Sequence, residues 1–207
     1  LVDAAAIIAA NRYSGGHRFA LYCASAHPPN LTGFFNFFGQ GLGALSPSDR
    51  LVIAGSAGPA IVEAPWFHRA GNLANNCVTP GSISEACLSG LLHTAHCIIL
   101  PLTEGGGTNL KTAEALWAAK HIVGTTVAFR GFEEFMDAPG VRIANNPADF
   151  LAALRDTMLS PPLKLDENEI ERRKSVLWSR RLAPLVDHFS SFAEKSLNSR
   201  YAKALPA

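Results

Sequence analysis

The sequence predicts an α/β fold: a Rossmann-like parallel sheet of about six strands with helices on both faces. Three observations carry this expectation. Short apolar runs recur roughly every 20 to 30 residues, each followed by a segment of helical periodicity, which is the arithmetic of βαβ units. Runs such as Leu51–Ala54 and Cys97–Leu100 are apolar throughout rather than alternating, as expected of strands covered on both faces. Glycine, proline, serine or asparagine follows most of these runs, so the strands should end in turns.

Taken in order, residues 1–10 read as the end of a helix, and Ser14-Gly15-Gly16 as a turn. Arg18 to Ser25 gives the first strand, broken by His27-Pro28-Pro29-Asn30. Leu31 to Leu45, with Phe34, Phe35, Phe37 and Phe38, reads as a helix packed on one side. Arg50 to Gly55 is the second strand. A helix from Pro59 to Arg69 should kink or end at Pro65, which lacks the donor a helix needs. Asn75 to Thr79 is a short third strand closed by Pro80-Gly81. Ser82-Ile83-Ser84-Glu85 has capping-box spacing and should start a helix reaching about Ala95. Cys97 to Leu100 is the fourth strand, ended by Pro101. His121 to Thr125 is the fifth, Phe129 to Asp137 a short helix, and Val141 to Ala144 the sixth. Asn146-Pro147 caps and opens a helix to Leu159, with Asp149 in its first turn. Asp166 to Lys195 reads as one or two amphipathic helices, with a break expected at Pro184.

The 207 residues fit one domain, with 1–16 a lead-in and 163–207 the C-terminal amphipathic helices. Hydrophobic residues make up 48% and charged residues 17%, a globular balance without disorder. A net charge of +1 implies no general attraction to nucleic acid or to an acidic membrane. Cys23, Cys77, Cys87 and Cys97 lack disulfide or metal-type spacing and read as reduced thiols of a cytoplasmic protein. The first ten residues lack a basic leader and an initiator Met, and read as a cut through a longer protein.

One stretch draws the chemistry together. The apolar run Cys97–Leu100 leads through Pro101 and Thr103-Glu104 to three glycines, Gly105, Gly106 and Gly107. Thr108 or Asn109 can then cap a helix beginning at Leu110. Strand, glycine turn and helix N-terminus form an anion site, because orphan amides and the helix dipole point at the ligand. Lys111 and Glu114, three apart, share a face near the first turn of that helix. A P-loop is disfavoured, since Leu110 stands where its wrapping glycine belongs and this is the fourth strand–helix unit, not the first. A purely structural glycine turn is the other alternative.

These residues carry a family resemblance. Ser25-Ala-His-Pro-Pro-Asn30, Arg50-Leu-Val-Ile-Ala-Gly55, Pro80-Gly-Ser-Ile83, Ile99-Leu-Pro-Leu102, Gly105-Gly-Gly-Thr-Asn-Leu-Lys-Thr-Ala-Glu-Ala-Leu116 and Gly124-Thr-Thr-Val-Ala-Phe-Arg-Gly131 occur in an order that resembles the C-terminal, donor-binding domain of GT-B glycosyltransferases of bacterial polysaccharide synthesis. Ser175-Val-Leu-Trp178 resembles the start of that group's closing helix. The resemblance implies that Glu114 accepts hydrogen bonds from a nucleotide ribose, a task suited to a carboxylate facing two vicinal hydroxyls. It implies that Gly105 to Thr108 face the diphosphate and donor sugar, and that Ser82 and Ile83 read the nucleobase through their backbone. Glu104 resembles the first glutamate of the family's paired motif, which holds sugar hydroxyls; nine residues separate it from Glu114, two more than the motif holds.

Lys111 is the candidate for offsetting diphosphate charge, its alternative being an ordinary solvated helix lysine. Gly105 to Leu110, with Asn109, complete the expected donor site. His27 and Asn30 occupy the loop where the family often places basic residues, and are expected as secondary phosphate contacts. Arg130 either adds charge at the same rim or pairs with Glu133 or Glu134. His93, His96 and Cys97 do not form a convincing metal set, and neither metal nor cofactor is expected. The phenylalanine cluster reads as core. Arg172-Arg173-Lys174 and Arg180-Arg181, interleaved with Glu167, Glu169 and Glu171, read as a solvated helix face, with contact to the inner membrane surface a secondary reading.

The expected ligand is a nucleoside-diphosphate sugar and the expected reaction glycosyl transfer. A saccharide or lipid-linked acceptor would be bound by an N-terminal domain outside these residues, so the isolated domain should bind donor and catalyse little. A non-catalytic nucleotide-sugar-binding module and a GT-B nucleotide-sugar epimerase are the alternatives.

Overall fold

A computed structural model describes residues 3–39, 41, 43–65, 67, 76–186 and 188–192. It contains six strands: β1 (Phe19–Cys23), β2 (Arg50–Ala54), β3 (Cys77–Gly81), β4 (Cys97–Leu100), β5 (His121–Gly124) and β6 (Val141–Ile143). All pair in parallel, in the order β3-β2-β1-β4-β5-β6. The helices are α1 (Ala4–Ser14), α2 (Pro28–Phe38), α3 (Ala57–Glu63), α4 (Glu85–Thr94), α5 (Leu110–Trp117), α6 (Pro147–Leu159), α7 (Glu167–Arg173) and α8 (Trp178–Arg181), with 3-10 turns at Glu133–Phe135 and Lys174–Val176. No helix among the described residues is long and apolar enough to cross a membrane.

Strand periodicity divides the interior into two cores. On one face Ala20, Tyr22, Leu51, Ile53, Cys97, Ile99 and Val123 meet Phe34, Phe37 and Phe38 of α2, Ile61 of α3, and Phe150, Leu154 and Met158 of α6. On the other, Phe19, Leu21, Val52, Ile98, Leu100 and Ile122 meet Ala10 of α1, Leu91 of α4, Ala115 and Leu116 of α5, and Phe129, Phe132 and Phe135. Both faces of the central strands are therefore covered, which is why their sequences are apolar without alternation. The phenylalanine cluster is core, with Phe37 and Phe150 ring centroids 4.6 Å apart.

Several boundaries differ from expectation for physical reasons. The Pro28-Pro29 pair opens α2 instead of only breaking the strand, because proline is pre-set for a first helical turn. Strand β3 runs through Pro80 and Gly81, which were expected to close it. It lies at the sheet edge, where a missing donor is tolerated, and its register with β2 shifts between Val52 and Ala54. The cap of α4 is Ser84, whose side chain accepts from the Cys87 amide at 3.3 Å, not Ser82. The charged C-terminal stretch divides at Leu177 and again at Leu182, two residues before Pro184. The expected end of the third helix beyond Phe67, the start of β3 at Asn75 and the stretch to Lys195 fall wholly or partly outside the described residues.

Strand order reverses direction between β1 and β4, since successive crossovers move outward from β1 to β3 and then return to β4 on its other side. That switch point leaves a crevice outside the carboxyl ends of β1 and β4, where open α/β sheets bind ligands. Close packing helps to form it. A Cβ on Gly33 of α2 would stand 2.0 Å from the Pro101 carbonyl oxygen, so only glycine lets α2 press against the exit of β4.

Candidate functional site

At this crevice lies a polar cleft of about 280 Å³. The loop after β1 contributes Ser25, His27, Pro29 and Asn30; the turn after β4 contributes Leu102, Glu104, Gly105, Gly106, Thr108 and Asn109; Lys111 and Arg130 complete it. The structure thus brings together His27, Asn30, Glu104, Gly105, Gly106, Thr108, Asn109, Lys111 and Arg130 from the sequence-derived set. Ser25, Pro29 and Leu102 were not singled out, although Ser25 belongs to the same turn-rich segment as His27 and Asn30.

The glycine turn adopts backbone conformations that other residues resist: Gly105 has φ 135° and Gly107 φ 70°. Arg130 holds it in place. Its Nε donates to the Gly107 carbonyl at 2.8 Å and its Nη1 to the Gly105 carbonyl at 2.6 Å. With these carbonyls turned toward Arg130, the turn is clamped from one side. The alternative reading, a pairing of Arg130 with Glu133 or Glu134, finds no ion pair among the described residues. Glu133 accepts instead from the Gly131 amide, and Glu134 pairs with Arg181 at 3.0 Å.

The segment 125–131 braces the helix behind the turn. Thr112 Oγ1 donates to the Ala128 carbonyl at 2.5 Å, and Asn109 Nδ2 donates to the same oxygen at 3.2 Å. Asn109 is the N-cap residue of α5, but its side chain caps nothing; neither does that of Thr108. The first amides of α5 are therefore left without a side-chain cap beside the cleft, as an anion site requires.

Lys111 projects from the first turn of α5 and donates to Asn30 Oδ1 at 2.8 Å. Burial lowers its pKa, against the opposing influence of Cys23 and Glu114. Asn30 is buried, and its Nδ2 donates to the Ser25 carbonyl at 3.0 Å and the Ser25 hydroxyl at 3.2 Å. Its side chain is thus hydrogen-bonded on both sides within the protein, to Ser25 and to Lys111.

Five other residues of the sequence-derived set do not line this cleft. Glu114 and Leu110 line a neighbouring apolar groove of about 250 Å³ with Trp117, Phe132, Leu177 and Trp178. Glu114 is exposed at its edge, and its carboxyl pKa is raised by partial burial against the lowering effect of Lys111. Ser82 and Ile83 follow the edge strand β3, with Ser82 exposed and Ile83 packed against the core. Gly107 contributes its carbonyl to Arg130 and does not line the cleft. Cys23, a half-buried thiol at the end of β1, has its pKa raised by burial first and by Glu114 second, against the lowering effect of Lys111.

His96, weighed as a metal ligand, bonds through Nε2 to the Thr157 carbonyl at 2.9 Å and lies against His121, at the opposite end of the strands. Arg173, expected in solvent, is 2% exposed. It bonds to Glu169 at 3.0 Å and to the Pro139 carbonyl at 2.6 Å, fastening α7 to the core.

Comparison with known proteins bears on the family and the fold. The model of the family described as glycosyl transferases group 1 matches residues 20–159. No curated protein matches the chain by sequence. Among solved structures, a mutant of S. aureus TarM in complex with fondaparinux, alpha-GlcNAc-glycerol and UDP is similar over 88% of this chain and 35% of its own, at 17% identity and a TM-score of 0.55. Anabaena HepE in complex with UDP and glucose matches over 91% of this chain and 52% of its own, at 10% identity and a TM-score of 0.60. WaaG, a glycosyltransferase involved in lipopolysaccharide biosynthesis, matches over 88% and 47%, at 11% identity and a TM-score of 0.55. The chain spans about a third to a half of the length of these proteins. The shared fold is the Rossmann-like C-terminal half of a GT-B glycosyltransferase. The chain belongs to the glycosyl transferases group 1 family.

Proposed function

We propose that this domain binds a nucleoside-diphosphate sugar and supplies the donor half of a glycosyltransferase. The observation that carries the reading is the cleft at the switch point, where the glycine turn, the uncapped start of α5, Lys111 and Arg130 converge. TarM and HepE hold UDP in their structures, which supports the ligand class. In such a transfer the anomeric C–O bond to the diphosphate breaks and its electron pair stays on the leaving phosphate. Lys111, Arg130 and the turn amides stand where that developing charge would be stabilised. Glu104, exposed on the rim, would accept from donor-sugar hydroxyls, and the acceptor would come from a separate domain.

Calorimetric titration of the chain with a panel of nucleoside diphosphates and the matching nucleosides tests this. At least one diphosphate should bind more than tenfold tighter than its nucleoside, since roughly 1.5–3 kcal/mol comes from each charge-assisted hydrogen bond. Lys111→Met should remove most of that difference. Equal affinities for every pair would overturn the reading.

A further inference from the structure

A second polar cavity, of about 420 Å³, opens at the other end of the sheet. Its wall includes Arg18, His96 and Lys120, each one residue before β1, β4 and β5. These strands are neighbours. Cys97 is in register with both Ala20 and His121, so His96 and Lys120 hold neighbouring rungs level with Phe19, and Arg18 stands one residue further along β1. His17 lies beside them, and Pro162 and Leu163 close the far wall.

One cation of this cavity, Lys120, has no counter-charge among the described residues. No acidic side chain lines the cavity. The nearby carboxylate, Asp49, is buried and already accepts from Arg18 Nε at 3.1 Å and from the Ser46 hydroxyl at 3.0 Å. Arg50, a further cation, donates to His17 Nε2 at 3.2 Å, which leaves Nδ1 of that ring as its remaining donor. Lys120 is half-buried and makes no hydrogen bond or ion pair among the described residues. Partial burial lowers its pKa, as expected of an ammonium without a counter-charge.

We infer that this cavity is a second anion site, separate from the donor cleft, for a small phosphomonoester held by Lys120 and Arg18 with His17 as an added donor. A dianionic phosphate matches two cations that line one cavity. It would supply the counter-charge that Lys120 lacks. The space around it accommodates an organic substituent of a few heavy atoms.

The test is a titration of the whole chain with inorganic phosphate and with glycerol phosphate at low ionic strength, followed by the ring resonances of His17, His96 and His27. Lys111→Met protein serves as background, to weaken anion binding at the donor cleft. Both phosphates should shift His17 and His96, with saturation. Lys120→Met and Lys120→Gln should weaken this binding at least tenfold, and Lys120→Arg should restore it. Phosphate affinity unchanged by either neutral substitution would overturn the inference. So would perturbation of His27 alone, or acetate binding as tightly as phosphate.

Discussion

Lys111 Nζ and Asn30 Oδ1, 81 residues apart in sequence, meet at 2.8 Å and join the first turn of α5 to the first turn of α2. Asn30 is in turn fixed by the backbone and hydroxyl of Ser25, and its own carbonyl accepts from the Tyr22 hydroxyl at 2.8 Å. The ammonium is therefore held in position before any ligand arrives. A cation placed in advance costs no reorganisation when anionic charge develops beside it. The same preorganisation extends to the glycine turn through Arg130.

Replacing Arg130 should loosen that turn without unfolding the domain. Arg130→Met removes two hydrogen bonds to the carbonyls of Gly105 and Gly107 at a solvent-facing site. The expected loss of stability is about 1 kcal/mol or less. Amide exchange at Gly105 to Gly107 should accelerate, and nucleoside-diphosphate affinity should fall about tenfold. Arg130→Lys should rescue little, because an ammonium cannot span both carbonyls as the planar fork does. Unchanged exchange in the turn would show that it is held by other contacts.

How far the sequence discloses this arrangement depends on the range of the interactions. The strands are legible because burial on both faces demands an unbroken apolar run, as at Cys97–Leu100. The anion character of the glycine turn is legible because it is local: strand, glycines and helix start are contiguous. The partners of Lys111 and Arg130 are not, since Asn30 and the Gly105 carbonyl reach them only through the fold. Position in the sheet is equally hidden, and Pro80 reads as a strand terminator until β3 proves to be an edge. Arg173 misleads for a related reason. Its spacing from Glu169 is that of a solvated helical pair, and only the packing of α7 against Pro139 buries it.

That buried pair gives a second prediction. Glu169→Gln keeps the shape but leaves the Arg173 guanidinium, 2% exposed, without its carboxylate. Stability should fall by roughly 3–5 kcal/mol. The double replacement Glu169→Leu with Arg173→Met should recover most of this, because no charge remains buried. Urea unfolding of the three proteins measures both steps, and a double variant no better than Glu169→Gln would locate the cost in packing instead of charge.

Ala119 has φ 55°, the positive-φ non-glycine residue among those described, and it ends α5 with its amide bonded to the Leu116 carbonyl. A left-handed terminus is where glycine is favoured, since a Cβ there crowds the following carbonyl. Ala119→Gly should therefore stabilise the domain by about 0.5–1 kcal/mol, after allowing for the added freedom of the unfolded chain. The thermal midpoint should rise by roughly 1–4 °C. Ala119→Val should lower it.

Glu114 allows its proposed ribose contact to be separated from a structural role. Its carboxyl pKa lies above the ordinary 4.5 because partial burial outweighs the attraction of Lys111. With the folded value raised, the folded protein keeps its proton to higher pH than the unfolded chain. The group's contribution to stability is thus present below the unfolded value and lost as pH rises through the folded one. In Glu114→Gln this pH dependence should vanish, while the helix persists, both residues being good helix formers. Nucleotide binding should respond in the opposite sense. A carboxylate accepting from ribose hydroxyls requires the ionised form, so affinity in the parent should drop as pH falls through the raised pKa, and the variant should show no such drop. At neutral pH, Glu114→Gln should weaken a ribose diphosphate by about ten- to a hundredfold, equivalent to roughly 1.5–3 kcal/mol, and a dideoxyribose diphosphate far less. Titrations of both proteins with both ligands decide the matter. Equal losses for the two ligands would place Glu114 outside the ribose site, as an exposed partner of Lys111 at the edge of the apolar groove.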